Sequence, residues 1–110
     1  MSDRLAKLVR TYGTGASSAI LEALVDGESY GLEIRERVRL RTGGALFLGP
    51  GSLYPSLHAL ERDGLTTSRD EKQPRGGRPK VYYALTAFGR EVADGLRDEA
   101  LLLYGSRSLR

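Results

Sequence analysis

Gly49-Pro50-Gly51-Ser52-Leu53-Tyr54-Pro55-Ser56-Leu57-His58-Ala59-Leu60-Glu61-Arg62-Asp63-Gly64 is the stretch on which the fold turns. Pro50 suits the first position of a helix, where its missing N–H would find no partner anyway, and Gly64 suits the left-handed residue that closes one. The spacing predicts a helix from Pro50 to Asp63 that buries Leu53, Leu57 and Leu60 on one face. Ser52, Tyr54, Pro55, Ser56, His58 and Ala59 then turn toward other faces, and Ser52, Ser56 and Ala59 are small enough for another surface to approach closely. Pro55 fits such a helix only near its beginning, where few backbone bonds are lost.

Two helices are predicted upstream. Ala16, Ala19, Ile20, Ala23 and Leu24 fall on one helical face between Thr14 and Val25, and Asp26-Gly27 ends that segment. Ser29 reads as the N-cap of the next helix, with Tyr30, Ile34 and Val38 stacked and a stop at Gly43-Gly44. Downstream, Leu65 to Arg69 and Val81 to Leu85 read as short strands that pair as a hairpin, joined by a long loop from Asp70 to Lys80. Thr86 caps a last helix to about Tyr104, with Phe88, Val92, Ala93, Leu96, Ala100 and Leu103 at helical spacing and Gly89 and Gly95 weakening it. The order helix, helix, helix, strand, basic loop, strand, helix describes an α+β, mainly α, winged helix-turn-helix with a C-terminal helix. Residues 1–85 would form the DNA-binding domain and residues 86–110 the dimerisation helix and tail. The role of residues 1–13 stays open, including whether Asp3 to Tyr12 adds a helix.

Composition narrows the function classes. The 110 residues suit one domain, and the absence of cysteine excludes disulfides, thiolate metal sites and thiol chemistry. His58 is the lone histidine, so no histidine cage for a metal can form, and no cofactor is expected. No run approaches the ~20 apolar residues of a membrane span. Met1 to Arg10 mixes charges with short apolar pieces unlike a secretory signal, so the expected location is the cytoplasm. Ser56, His58, Glu61 and Asp63 crowd one helix without an oxyanion site, which argues against an enzyme.

A formal net charge of +3 hides an uneven distribution. Lys72, Arg75, Arg78 and Lys80 have no acid among them and are interleaved with Pro74, Gly76, Gly77 and Pro79. From Arg90 to Tyr104, by contrast, Glu91, Asp94, Asp98 and Glu99 outnumber Arg90 and Arg97. An uncompensated basic loop beside a groove-sized helix favours phosphate or minor-groove contact. At about 0.9 per phosphate, four such contacts would carry a log-log salt slope of roughly −3.6 per subunit.

Several strings resemble the PadR family of bacterial transcriptional regulators. They are Ile20-Leu21-Glu22-Ala23-Leu24, Ser29-Tyr30-Gly31-Leu32-Glu33-Ile34, the stretch Gly49 to Leu65, Gly76-Gly77-Arg78-Pro79-Lys80-Val81-Tyr82-Tyr83-Ala84-Leu85-Thr86, and Gly89-Arg90. The resemblance runs from about Ile20 to Arg90. It implies a homodimeric repressor of the subfamily with one C-terminal helix, of a kind that often responds to small molecules. Arg78 and Lys80 match the family's wing motif position by position, whereas Lys72 and Arg75 rest on charge alone.

The expected function is therefore a sequence-specific DNA-binding regulator acting as a homodimer on a palindromic operator. Ser52, Tyr54, Ser56 and His58 would reach the groove from the third helix, Tyr30 the backbone, and Lys72, Arg75, Arg78 and Lys80 the phosphates or minor groove. No Arg, Asn or Gln occupies the first turns of that helix, so shape and wing contacts carry much of the specificity. The plainer alternatives are a solvated helix face, a Tyr54 packed on the wing and a Tyr30 in the core. The apolar end Ala100-Leu101-Leu102-Leu103-Tyr104 exceeds what one small domain buries and points to dimerisation. Two-fold symmetry would set the recognition helices ~34 Å apart. An effector pocket, if formed between the paired helices, would be lined by Leu96, Ala100, Leu103 and Tyr104. A winged-helix protein-interaction module without DNA binding is the alternative function.

Overall fold

The computed structural model describes residues 2–13 and 15–108, with side chains described through residue 99. The elements are α1 (Asp3–Thr11), α2 (Gly15–Val25), β1 (Ser29–Tyr30), α3 (Gly31–Arg41), α4 (Pro50–Arg62), β2 (Thr66–Glu71), β3 (Lys80–Leu85) and α5 (Ala87–Ser108). Helices α2, α3 and α4 bury Ile20, Leu21, Leu24, Ile34, Leu53, Leu57 and Leu60 together. Leu48 and Leu65 close the core at the two ends of α4, and Val92 of α5 seals it. The winged helix-turn-helix expected from the sequence is the fold that forms.

Helix α4 begins as its sequence dictates. Gly49 is the N-cap and Pro50 follows as the first helical residue. At its end the Leu65 N–H donates to the Leu60 carbonyl at 2.9 Å and the Gly64 N–H to the Glu61 carbonyl at 3.0 Å, the paired bonds of a Schellman motif. Pro55 lies within the helix without ending it.

Three details differ from the sequence expectation. Ser29 does not cap α3. It is fully buried in β1, which pairs antiparallel with β3 (Ser29 with Tyr83, Tyr30 with Tyr82), and its hydroxyl donates to Glu33 at 2.6 Å. The N-cap is Tyr30, in extended backbone and without a side-chain capping bond. The hairpin is accordingly part of a three-stranded sheet, ordered β1-β3-β2. The ladder also runs two residues further than the apolar alternation, to Asp70 with Val81 and Glu71 with Lys80, which shortens the loop and places Lys80 in a strand.

Residues 3–11 form a helix, the point that the sequence leaves open. The Ser2 side chain accepts from the Leu5 N–H at 3.1 Å, and Leu8, Val9 and Tyr12 are buried. The helix packs against α5. At the start of α5 the Thr86 hydroxyl accepts from the Gly89 N–H at 2.9 Å and donates to the Gly64 carbonyl at 2.6 Å. Gly89, which sequence alone marks as a weakness, is required: a Cβ there would fall 1.8 Å from the Leu65 carbonyl oxygen. Arg37 closes the end of α2, donating to the Ala23 carbonyl at 3.1 Å and the Gly27 carbonyl at 2.9 Å. Arg97 of α5 grips Glu22 of α2 through two bonds of 2.7 and 3.0 Å.

Candidate nucleic-acid interface

Because Leu53, Leu57 and Leu60 point inward, Ser52, Tyr54 and His58 are exposed and Ser56 is half-buried on the outer side of α4. Tyr54 is 39% exposed, and its ring lies across Gly31 at the start of α3. A Cβ on Gly31 would sit 2.6 Å from the Tyr54 hydroxyl and 3.2 Å from ring carbons, so only a glycine leaves room for this packing. The tyrosine thus packs on α3 as well as facing the wing.

The sheet arranges a second set of aromatics. Tyr30 and Tyr82, register partners on β1 and β3, meet edge to face with centroids 5.5 Å apart. The Lys80 ammonium lies 4.3 Å from the Tyr30 ring centre, and the Arg69 guanidinium 4.8 Å from that of Tyr82. These two cations are not equivalent. Arg69 is committed to Glu28 by bonds of 2.9 and 2.6 Å, a pair that holds the Glu28 carboxyl below the ordinary carboxylate range. Lys80 has no acidic partner among the described residues.

A cleft of about 390 Å³ separates α4 from the wing, lined by Tyr30, Gly31, Leu32, Tyr54, His58, Pro79, Lys80, Val81 and Tyr83. It brings together four of the residues singled out from the sequence: Tyr30, Tyr54, His58 and Lys80. A second, more open hollow on the far side of His58 includes Glu61, Arg62 and Ser68, whose hydroxyl donates to Glu61 at 3.1 Å. Tyr83 borders both hollows, and burial, then the neighbouring Glu61 carboxylate, raises its phenol above the ordinary tyrosine value.

Lys72, Arg75 and Arg78 lie in the exposed loop of residues 72–79, outside the cleft. Arg37, Arg39, Arg41, Arg69 and Arg97 each hold an acid, whereas Lys72, Arg75, Arg78 and Lys80 hold none among the described residues. Gly76 and Gly77 both take left-handed backbone, with φ of 80° and 89°, and reverse the chain between Arg75 and Arg78. Ser52 and Ser56 also stand apart from the cleft.

Sequence reasoning missed Gly31, Leu32 and Val81 as members of this surface. Leu32 is 58% exposed, and its displacement from the Tyr30, Ile34, Val38 line is the sequence signal that it faces outward. Of the residues expected to line an effector pocket, Leu96 is half-buried and packs against the core. The side chains of Ala100, Leu103 and Tyr104 lie outside the described residues. Among the described residues no group of three or more histidine or acidic side chains can hold a metal ion, and no helix is long and apolar enough to cross a membrane.

The profile of the transcriptional regulator PadR-like family matches residues 20–94. The transcriptional regulator Rv3488 of Mycobacterium tuberculosis is 38% identical over 71 residues, 64% of this chain. That match covers 62% of the relative's length, so the chain spans less than two thirds of it. A transcriptional regulator from Clostridium thermocellum superposes with a TM-score of 0.71 at 25% identity, covering 91% of this chain and 93% of its own. A PadR family regulator from Clostridium difficile gives a TM-score of 0.70 at 26% identity over 84% of this chain and 93% of its own. Bacillus subtilis PadR, solved in complex with operator DNA, gives 0.63 at 28% identity over 76% of this chain and 45% of its own.

Proposed function

Since the chain belongs to the PadR-like family of transcriptional regulators, we propose that it is a DNA-binding repressor acting as a homodimer on a palindromic operator in the cytoplasm. One observation carries this reading: Tyr54 and His58 on the exposed side of α4 share a single cleft with Tyr30 and with Lys80 of the wing, a cation without an acidic partner among the described residues. α4 enters the major groove with Ser52, Tyr54, Ser56 and His58. Lys72, Arg75, Arg78 and Lys80 meet phosphates or the adjacent minor groove. The operator complex of the Bacillus subtilis relative supports the same class of partner.

The described part of α5 packs on α1 and α2, and its continuation to residue 108 supplies the contact with a second subunit. Residues 1–85 serve as the DNA-binding unit and residues 86–110 as the dimerisation segment, although α1 packs with α5. A small molecule bound between paired α5 helices, against Leu96, Ala100, Leu103 and Tyr104, releases the DNA.

The experiment is a gel shift on the region upstream of the chain's own gene, competed with random DNA. Preferential retention of the upstream fragment, lost in an Arg75→Glu/Arg78→Glu variant, supports the proposal. Equal affinity for both DNAs overturns sequence-specific regulation, and folded protein that ignores DNA altogether favours a protein-interaction module. A compound screen for release of the bound fragment tests the effector.

A further inference from the structure

Asp63 is an unexpected residue for its position. It is the C-cap of α4, at the negative end of the helix dipole, where a carboxylate is disfavoured. Its N–H, its carbonyl and one carboxylate oxygen are nevertheless engaged. The Tyr12 hydroxyl donates to the Asp63 carboxylate, with the Ala59 carbonyl 3.4 Å away. The Asp63 N–H donates to the Ala59 carbonyl at 3.1 Å, and the Asp63 carbonyl accepts from the Arg4 guanidinium at 3.1 Å.

Both side chains that reach Asp63 come from the α1 segment, which is tied to α5 at two separate points. The Arg4 guanidinium lies 4.7 Å from the centre of the Phe88 ring, in the first turn of α5. Gly13 lies close enough to Leu96 that a Cβ there would stand 3.5 Å from its Cδ2. Tyr12 is only 6% exposed, and burial, then the bond to Asp63, pushes its phenol up to about 12. α1 is therefore a strut between α5 and the C-terminal end of α4.

We propose that Tyr12 and Asp63 are positioning residues that set the tilt of α4 relative to α5, and through it the operator geometry the dimer accepts. This rests on the reading of α4 as the recognition helix and α5 as the dimer helix. A helix of 13 residues is about 20 Å long, so a shift of ~1 Å at its C-terminal end tilts it by about 3°. The strut braces that end from α1, alongside the Thr86 bonds to the Gly64 and Leu65 carbonyls, while the core leucines fix the inward face.

The test measures affinity of the full chain, by fluorescence anisotropy, for its footprinted operator and for versions with one base pair added to or removed from the centre. Wild type prefers the native spacing. Tyr12→Phe and Asp63→Ala lose about tenfold on the native spacing, the scale of one charge-assisted hydrogen bond, and lose far less on the altered ones, so the preference flattens. Asp63→Asn, which still accepts from Tyr12, retains it. Variants that keep the wild-type preference, or that weaken equally on all three DNAs, overturn the proposal. Far-ultraviolet circular dichroism checks folding, and the Asp63→Asn rescue separates positioning from general stability. A wild-type protein indifferent to spacing overturns the two-fold reading itself, and the strut's role with it.

Discussion

Gly31 and Tyr54 form a pair in which one residue exists to make room for the other: the tyrosine ring covers the glycine backbone so closely that a methyl group would meet its hydroxyl at 2.6 Å. Gly31→Ala should therefore swing Tyr54 out of the cleft without unfolding the chain, since the ring is already 39% exposed. On the proposed function, DNA affinity should then fall about tenfold, equivalent to ~1.4 kcal/mol. Adding Gly31→Ala to Tyr54→Ala should cost nothing more, because both act through the same ring. Gel shifts on the single and double variants measure this.

Gly89→Ala separates two opposing effects. Helix propensity alone would stabilise α5 by about 1 kcal/mol. The new methyl would collide with the Leu65 carbonyl, which is also bonded to the Thr86 N–H at 3.0 Å and has little freedom to move. Overpacking of this kind costs about 1–3 kcal/mol, so the net result is a loss, read as a lower thermal midpoint.

On the proposed function, wing cations differ in their salt signature. Arg75→Ala and Arg78→Ala should each lower the log-log salt slope of DNA binding by about 0.9 per subunit, one released phosphate contact apiece. Arg69→Ala should leave the slope nearly unchanged, since Glu28 already neutralises that guanidinium. Affinity measured across a salt series distinguishes them.

Tyr12 makes stability depend on alkaline pH. Burial, then the bond to Asp63, pushes its folded phenol up to about 12 from the ordinary 10, so the folded chain holds the proton more tightly. The stabilisation is complete below pH 10 and is lost as pH rises toward 12. Tyr12→Phe lacks this loss, and the stability gap between wild type and variant should narrow through that window in urea melts.

The helices α2 to α5 and the wing were legible because each carries its own local pattern: Leu53, Leu57 and Leu60 at helical spacing, Tyr83 and Leu85 alternating, Gly64 at a stop. β1 was not, because two residues are too short to show alternation and their conformation is set by β3, more than fifty positions away. The i, i+4, i+8 line of Tyr30, Ile34 and Val38 started the helix one residue too early, at Tyr30, whose backbone is in fact extended. Asp70 and Glu71 hid the end of β2, since exposed strand residues carry no apolar signal.

For the candidate site, the basic loop was readable as charge without counter-charge. The cleft was not, because its walls come from β1, α3, α4 and β3 and meet only once the sheet is placed. Gly89 shows the same limit in reverse. Composition marks it as a flaw in a helix, and only the position of Leu65 reveals it as a contact.

The short strand β1 turns the proposed DNA-facing surface into a gauge. By pairing Ser29 with Tyr83 and Tyr30 with Tyr82 it splices the start of α3 to the wing, while Tyr54 on Gly31 seats α4 on that same start. The separation between α4 and the wing is then held by a strand ladder and one close contact instead of a flexible linker. A duplex must offer a groove and its flanking phosphate ridge at that separation to touch both at once. On the proposed function, helical form is then measured before any base: the wide major groove of B-form DNA would admit α4, and the deep, narrow one of an RNA duplex would shut it out.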